Sequence, residues 1–92
     1  MVRPQKPRKV SFSPEVTYFK PRAVPLAKLE EVGLSINEME VLRLYDLKGK
    51  NQNEVAEEMG ISQSTVGRNL KQAHKKITKA LINGKAIRIE ED

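Results

Sequence analysis

The stretch MGISQSTVGRNL, residues 59–70, constrains the fold more than any other. Gly60 takes a left-handed backbone without penalty, and it stands between an apolar-periodic acidic segment and Ser62, whose hydroxyl can cap a new helix. One helix ending on glycine and another starting just beyond it must meet at a tight corner, so the spacing predicts helix, short turn, helix. Charge changes at the same corner: acids crowd the segments before it, whereas from Gln63 to Ile89 there is no Asp or Glu.

The remainder of the chain is organised around that corner. Prolines at 4, 7, 14, 21 and 25 exclude a helix from the first zone, and the weak alternation around VTYF predicts extended chain over Glu15 to Phe19. Pro25 as a first helical position and Gly33 as a stop predict a short helix through about Val32. Ser35 and Glu38 form a capping box that opens the next helix, with Ile36, Met39, Leu42, Leu44 and Leu47 as its buried stripe and Gly49 as its end. Asn51 and Glu54 repeat the box for a helix over Gln52 to Met59. The third helix runs from the Ser62 cap to about Ile82, before the Asn83-Gly84 stop. KAIRIE alternates as a short strand does, with Glu15 to Phe19 or the same strand of a second subunit as its candidate partner. The expected organisation is a basic Pro-rich arm and extended segment over residues 1–24, a helix-turn-helix domain over 25–84, and a short strand with an acidic tail over 85–92.

Composition narrows the chemistry. The 92 residues carry 17 Lys and Arg against 12 Asp and Glu, a formal net charge of +5, which favours an acidic partner, nucleic acid or an anionic membrane surface. No apolar run approaches the roughly 20 residues of a membrane span, and no apolar stretch follows the N-terminal charges as in a signal peptide, so a cytoplasmic protein is expected. Cysteine is absent and His74 is the only histidine, which removes thiolate nucleophiles, disulfides and His/Cys metal cages. With no Gly-rich phosphate cradle either, the expectation is a protein that is not an enzyme and takes no metal or cofactor.

Particular positions fit a DNA-binding helix-turn-helix. Ala56 is small where two helices would cross closest, Gly60 turns the backbone, and Val55, Met59, Ile61, Val66 and Leu70 supply the contacts that set the interhelical angle. At about 100° per residue, Val66, Leu70, Ala73, Ile77 and Leu81 stack on one side of the third helix, with Ser64, Arg68, Lys71 and Lys75 opposite. Arg68, Lys71, Lys75, Lys76, Lys79, Lys85 and Arg88 follow the turn with no acid between them in sequence, giving a cationic exposed face. A helical hairpin in a small bundle would share the caps and the stripe; the separation of charge favours DNA.

From Ser35 to Ala73 the chain resembles region 4 of the sigma-70 family of transcription factors, and QNEVAEEMGISQSTVGRNL is similar to phage-repressor helix-turn-helix segments. More broadly, the run from VTYFKPRAVPLAKLEEVGLS through the helix-turn-helix, with GKAIRIE, resembles a small uncharacterised prokaryotic family of predicted DNA-binding proteins. The phage-repressor likeness implies Gln52 on a phosphate and Gln63 and Ser64 at base edges; the sigma-like helix implies Arg68 as a base reader. Gln can pair bidentately with adenine and Arg with guanine. Thr65, Lys71, Gln72 and Lys75 suit backbone phosphates. Gly67 departs from the sigma-like pattern, which usually has a long polar residue there, and costs helix stability; it either admits close approach to DNA or reduces the base contacts.

In the N-terminal RPQKPRKV, Arg3, Lys6, Arg8 and Lys9 are equally compatible with a minor-groove arm and with a solvated tail. Tyr18 and Phe19 are expected to clamp the helices. The resulting expectation is an all-α, sigma-70 region 4-like helix-turn-helix domain with extended arm and C-terminal strand, acting as a transcriptional regulator on double-stranded DNA. A homodimer and an RNA polymerase contact are further partners in this expectation. Size argues against a complete sigma factor. The competing readings are a nonspecific nucleoid or RNA-binding protein and a protein-interaction module docking through the acidic helices.

Overall fold

The computed structural model describes residue 10 and residues 12–90. Its elements are β1 (Tyr18–Phe19), a 3₁₀ turn (Leu26–Lys28), β2 (Glu31–Ser35), α1 (Ile36–Leu42, prolonged by a π-helical turn over Arg43–Leu47), α2 (Gln52–Met59), α3 (Gln63–Asn83) and β3 (Ala86–Glu90). The arm residues Arg3, Lys6, Arg8 and Lys9 lie outside the described residues.

The helix boundaries follow local chemistry. Ser35 Oγ accepts from the Glu38 amide at 3.0 Å while Glu38 Oε1 accepts from the Ser35 amide at 2.9 Å, and Asn51 with Glu54 repeats the exchange at 2.9 Å in both directions. Gly60 ends α2 at φ 71° and ψ 36°, and Ser62 Oγ then accepts from the Thr65 amide to start α3. α1 finishes in a widened turn closed by the Lys48 amide donating to the Arg43 carbonyl at 2.9 Å. That altered angular step leaves Leu47, expected in the buried stripe, 78% exposed.

The core of the helical unit is Val41, Leu44, Val55, Ala56, Met59, Val66 and Leu70, with Leu42, Tyr45 and Ile61 packed against it. Ala73 and Ala80 continue the buried side of α3 towards the sheet, but Leu81 is 74% exposed, because α3 runs on past the helices that cover its apolar side. Two acids of α1, Glu38 and Glu40, are buried, whereas Ile36, Met39 and Leu42 of the expected stripe are half-buried. Glu40 is held bidentately by Arg43 at 2.8 and 2.9 Å, and Glu38 takes the Lys76 ammonium at 2.8 Å. A buried carboxylate must be paired, and these two are.

The domain is mostly α-helical, but the all-α expectation does not hold, because three strands form a sheet in the order β1-β3-β2. β3 pairs antiparallel with β1, Tyr18 opposite Arg88 and Phe19 opposite Ile87, so of the two candidate partners of KAIRIE the end of the Glu15 to Phe19 stretch is the one seen. It also pairs in parallel with β2, from Glu31 opposite Ala86 to Ser35 opposite Glu90. The expected helix from Pro25 to Val32 is therefore a single 3₁₀ turn followed by a strand. Its three residues cannot propagate a helix, whereas EVGLS gains a full ladder against β3. Gly33 is not a helix stop; a Cβ there would meet the Glu90 carboxylate that folds across it. Tyr18 and Phe19 serve the sheet rather than clamping the helices: the Tyr18 hydroxyl donates to Glu31 at 3.0 Å and Phe19 is 52% exposed.

Parallel strands need a crossover connection, and here the connection is the whole helical unit. β2 runs directly into the Ser35 cap of α1, and β3 leaves the Gly84 stop of α3. The sheet thus ties together the two ends of the helix-turn-helix region.

Candidate nucleic-acid interface

The candidate surface is assembled from the first turn of α2 and the outward side of α3. Burial of Val66, Leu70, Ala73 and Ala80 fixes the rotation of α3 about its axis. Ser64, Arg68, Lys71 and Lys75, on the opposite side, are therefore exposed. Arg68, Lys71 and Lys75 make no hydrogen bond or ion pair with any described residue, and Lys71 and Lys75 stand one helical turn apart. Their charge is available to an anion.

The other expected contacts divide by flank. Gln52 is half-buried and Gln63 exposed; both line one open groove with Tyr45, Gly49, Lys50 and Asn51. This groove holds the amino-terminal ends of α2 and α3, whose free amides favour an anion. Thr65 and Gln72 lie on the far flank of α3, away from the groove. The Thr65 hydroxyl is engaged 2.8 Å from Ser62 Oγ, while the Ser64 hydroxyl lies 3.2 Å from the same oxygen, so two of the expected polar contacts also organise the cap. Tyr45 and Lys50 were not singled out in the sequence; the signal for Lys50 was its place directly before the Asn51 cap, where a helix end and a cation coincide.

Not every cation after the turn is unopposed. Lys76 pairs with Glu38 at 2.8 Å, Lys85 with Glu30 at 2.7 Å, and Arg88 with Glu31 at 3.0 Å and Glu90 at 3.4 Å. Glu30, Glu31 and Glu38 lie far back in the chain and Glu90 just past the run, so the sequence run without Asp or Glu does not survive folding as a continuous cationic surface. The Lys85 hydrogen bond holds the Glu30 carboxyl below its ordinary pKa, and the Arg88 and Tyr18 hydrogen bonds do the same for Glu31. His74 lies on the groove flank of α3, its Nε2 2.8 Å from Asp46 Oδ2, bracing α3 against the end of α1.

Among the described residues no group of three or more acidic, His or Cys side chains is placed to hold a metal ion. No described helix is long and apolar enough to cross a membrane.

The sequence model of a family described as "Protein of unknown function DUF134" matches residues 1–91. Similar proteins, each named "UPF0251 protein", occur in several organisms. That of Desulforudis audaxviator (strain MP104C) is 53% identical over 90 residues, which cover 98% of this chain and 59% of that protein. That of Moorella thermoacetica is 52% identical over 90 residues, covering 98% and 60%. That of Methanosarcina acetivorans is 48% identical over 88 residues, covering 96% and 79%. The chain thus spans about three fifths of the length of the first two. No solved structure matches.

Proposed function

The chain belongs to the DUF134 family, and from the geometry of its turn and third helix we propose that it binds double-stranded DNA sequence-specifically and acts as a transcriptional regulator. One observation carries the reading. The helix that follows the left-handed Gly60 turns its apolar side into the core and leaves Arg68, Lys71 and Lys75 outward with no acid against them. Acids are present in number elsewhere, yet they are spent on Lys50, Lys76, Lys85 and Arg88 instead.

In this reading α3 enters the major groove by its amino-terminal half. Gln63, Ser64 and Arg68 read base edges, each good bidentate pair contributing about 1–3 kcal/mol of discrimination. Lys71 and Lys75 hold phosphates, with Thr65 and Gln72 on the far flank serving the neighbouring strand. The amino-terminal end of α2, at the edge of the groove, takes a phosphate at the other side. The chain has no catalytic role in this proposal and needs no metal or cofactor. Two such domains would read two half-sites of a pseudo-palindrome.

Selection of bound fragments from a random duplex pool, followed by titration of the best duplex at several salt concentrations, tests the proposal. The expected result is a preferred site and an affinity that falls steeply with salt. A steep salt dependence with no preferred site favours a nonspecific nucleoid or RNA-binding role; neither property favours a protein-interaction module.

A further inference from the structure

Gly67 is unlike the other turn-forming glycines. Gly49, Gly60 and Gly84 have positive φ, whereas Gly67 sits inside α3 on ordinary helical backbone, where glycine weakens the helix. Its surroundings are open on the side of α2. A Cβ built there would lie 3.5 Å from Gln52 Oε1, with no other atom outside its own helix nearby. The missing side chain therefore opens a notch in the flank of α3, and the α2 carboxamide lies against it. Gln52 makes no hydrogen bond with any described residue, so the donors and the acceptor of that carboxamide remain free. The notch borders the outward face directly, since Gly67 adjoins Arg68 and is one turn from Ser64 and Lys71.

We infer that Gln52 is a specificity-determining residue and Gly67 its positioning residue: the notch lets the α2 carboxamide reach past the backbone of α3 to a base edge at the margin of the groove. This goes beyond the phosphate contact implied by resemblance, and it rests on the DNA-binding reading. A carboxamide in that place presents an N–H donor beside a carbonyl acceptor, the complement of adenine N7 and N6. Recognition of that base pair then comes from two helices, with Arg68 reading a neighbouring pair.

The test uses the whole chain, its best selected duplex and the set of duplexes carrying single base-pair changes. Gln52→Ala is expected to lower affinity for the best duplex about tenfold and to abolish the preference for A·T at one pair, leaving the other positions as selective as before. Gly67→Met fills the notch and should erase the preference at the same pair, with no additional loss in the Gln52→Ala/Gly67→Met double variant. Gly67→Ala should keep the preference, because 3.5 Å is an ordinary contact. Thermal unfolding of each variant separates folding from recognition; if Gly67→Met unfolds, Gly67→Gln, also bulky and a good helix former, repeats the test of the notch, and a preference retained in the bulky variant overturns the role of Gly67. An equal loss on every duplex for Gln52→Ala places the carboxamide on a phosphate and overturns the inference while the DNA reading stands. A wild-type chain with no preferred duplex overturns both.

Discussion

The two halves of α3 use the same kinds of residue in opposite ways. In the amino-terminal part, taken through Lys75, Val66 and Leu70 are buried under α1 and α2, and Arg68, Lys71 and Lys75 face outward without a partner among the described residues. Towards the carboxyl end, Lys76 is committed to Glu38, the cations just beyond the helix are committed to Glu30 and Glu31, and Leu81 and Ile82 are 74% and 77% exposed. Lys71 and Lys75 are open to an outside anion, whereas Lys76 is a structural staple. What decides between them is the presence of an acid across the fold, not the composition of the helix.

The largest expected effect that separates the halves is Arg68→Ala, which should cost about 2 kcal/mol of binding to the preferred duplex and relax selectivity at one pair. Its unfolding midpoint should stay near wild type, since surface changes away from special features are usually within about ±0.5 kcal/mol. Fluorescence anisotropy and urea denaturation on the same preparation measure both. Lys76→Ala should do the converse: Glu38, 4% exposed, loses its cation, and stability falls by about 1.5 kcal/mol with affinity per folded molecule unchanged. If Lys76→Ala weakens DNA binding as much as Arg68→Ala does, the division of α3 into a binding half and a stapling half is wrong.

Lys75→Ala sharpens the comparison within the binding half. It should weaken all duplexes alike and flatten the salt slope by about one unit, where Arg68→Ala acts chiefly on the preferred one. The smallest effect concerns the sheet end. Glu30 and Glu31 have folded-state pKa values lowered by Lys85 and by Arg88 with Tyr18 respectively. Their contribution to stability is thus present above the ordinary carboxyl pKa of about 4.3 and is lost as pH falls through the lower folded values. Both groups face solvent, so the change should be slight. Unfolding midpoints in Glu30→Gln and Glu31→Gln, compared with wild type between neutral and strongly acid pH, should show a shallower acid decline in the variants.

The fate of individual residues shows why some of this could be read in the chain and some could not. Ser35 with Glu38, Asn51 with Glu54, and Ser62 with Thr65 bond across three residues, and Gly60 bends within one; each interaction closes inside a few residues and leaves its mark in a short window. The rotation of the amino-terminal half of α3, and so the exposure of Arg68, Lys71 and Lys75, follows from the same local periodicity. Leu81 obeyed that periodicity too and is exposed, because periodicity says which side a residue is on but not how far the covering helices extend.

What the sequence determined by itself was the series of capped helices, the corner at Gly60 and the outward cationic side beyond it. Only the tertiary structure decided that EVGLS is a strand, that Glu38 and Glu40 are buried, that Lys76, Lys85 and Arg88 are neutralised, and that Gly67 faces Gln52. The physical reason is distance along the chain. Caps and turns are settled by neighbours, whereas a strand needs a partner and a charge needs a counter-charge, and, Arg43 beside Glu40 and Glu90 beside Arg88 apart, those lie dozens of residues away here.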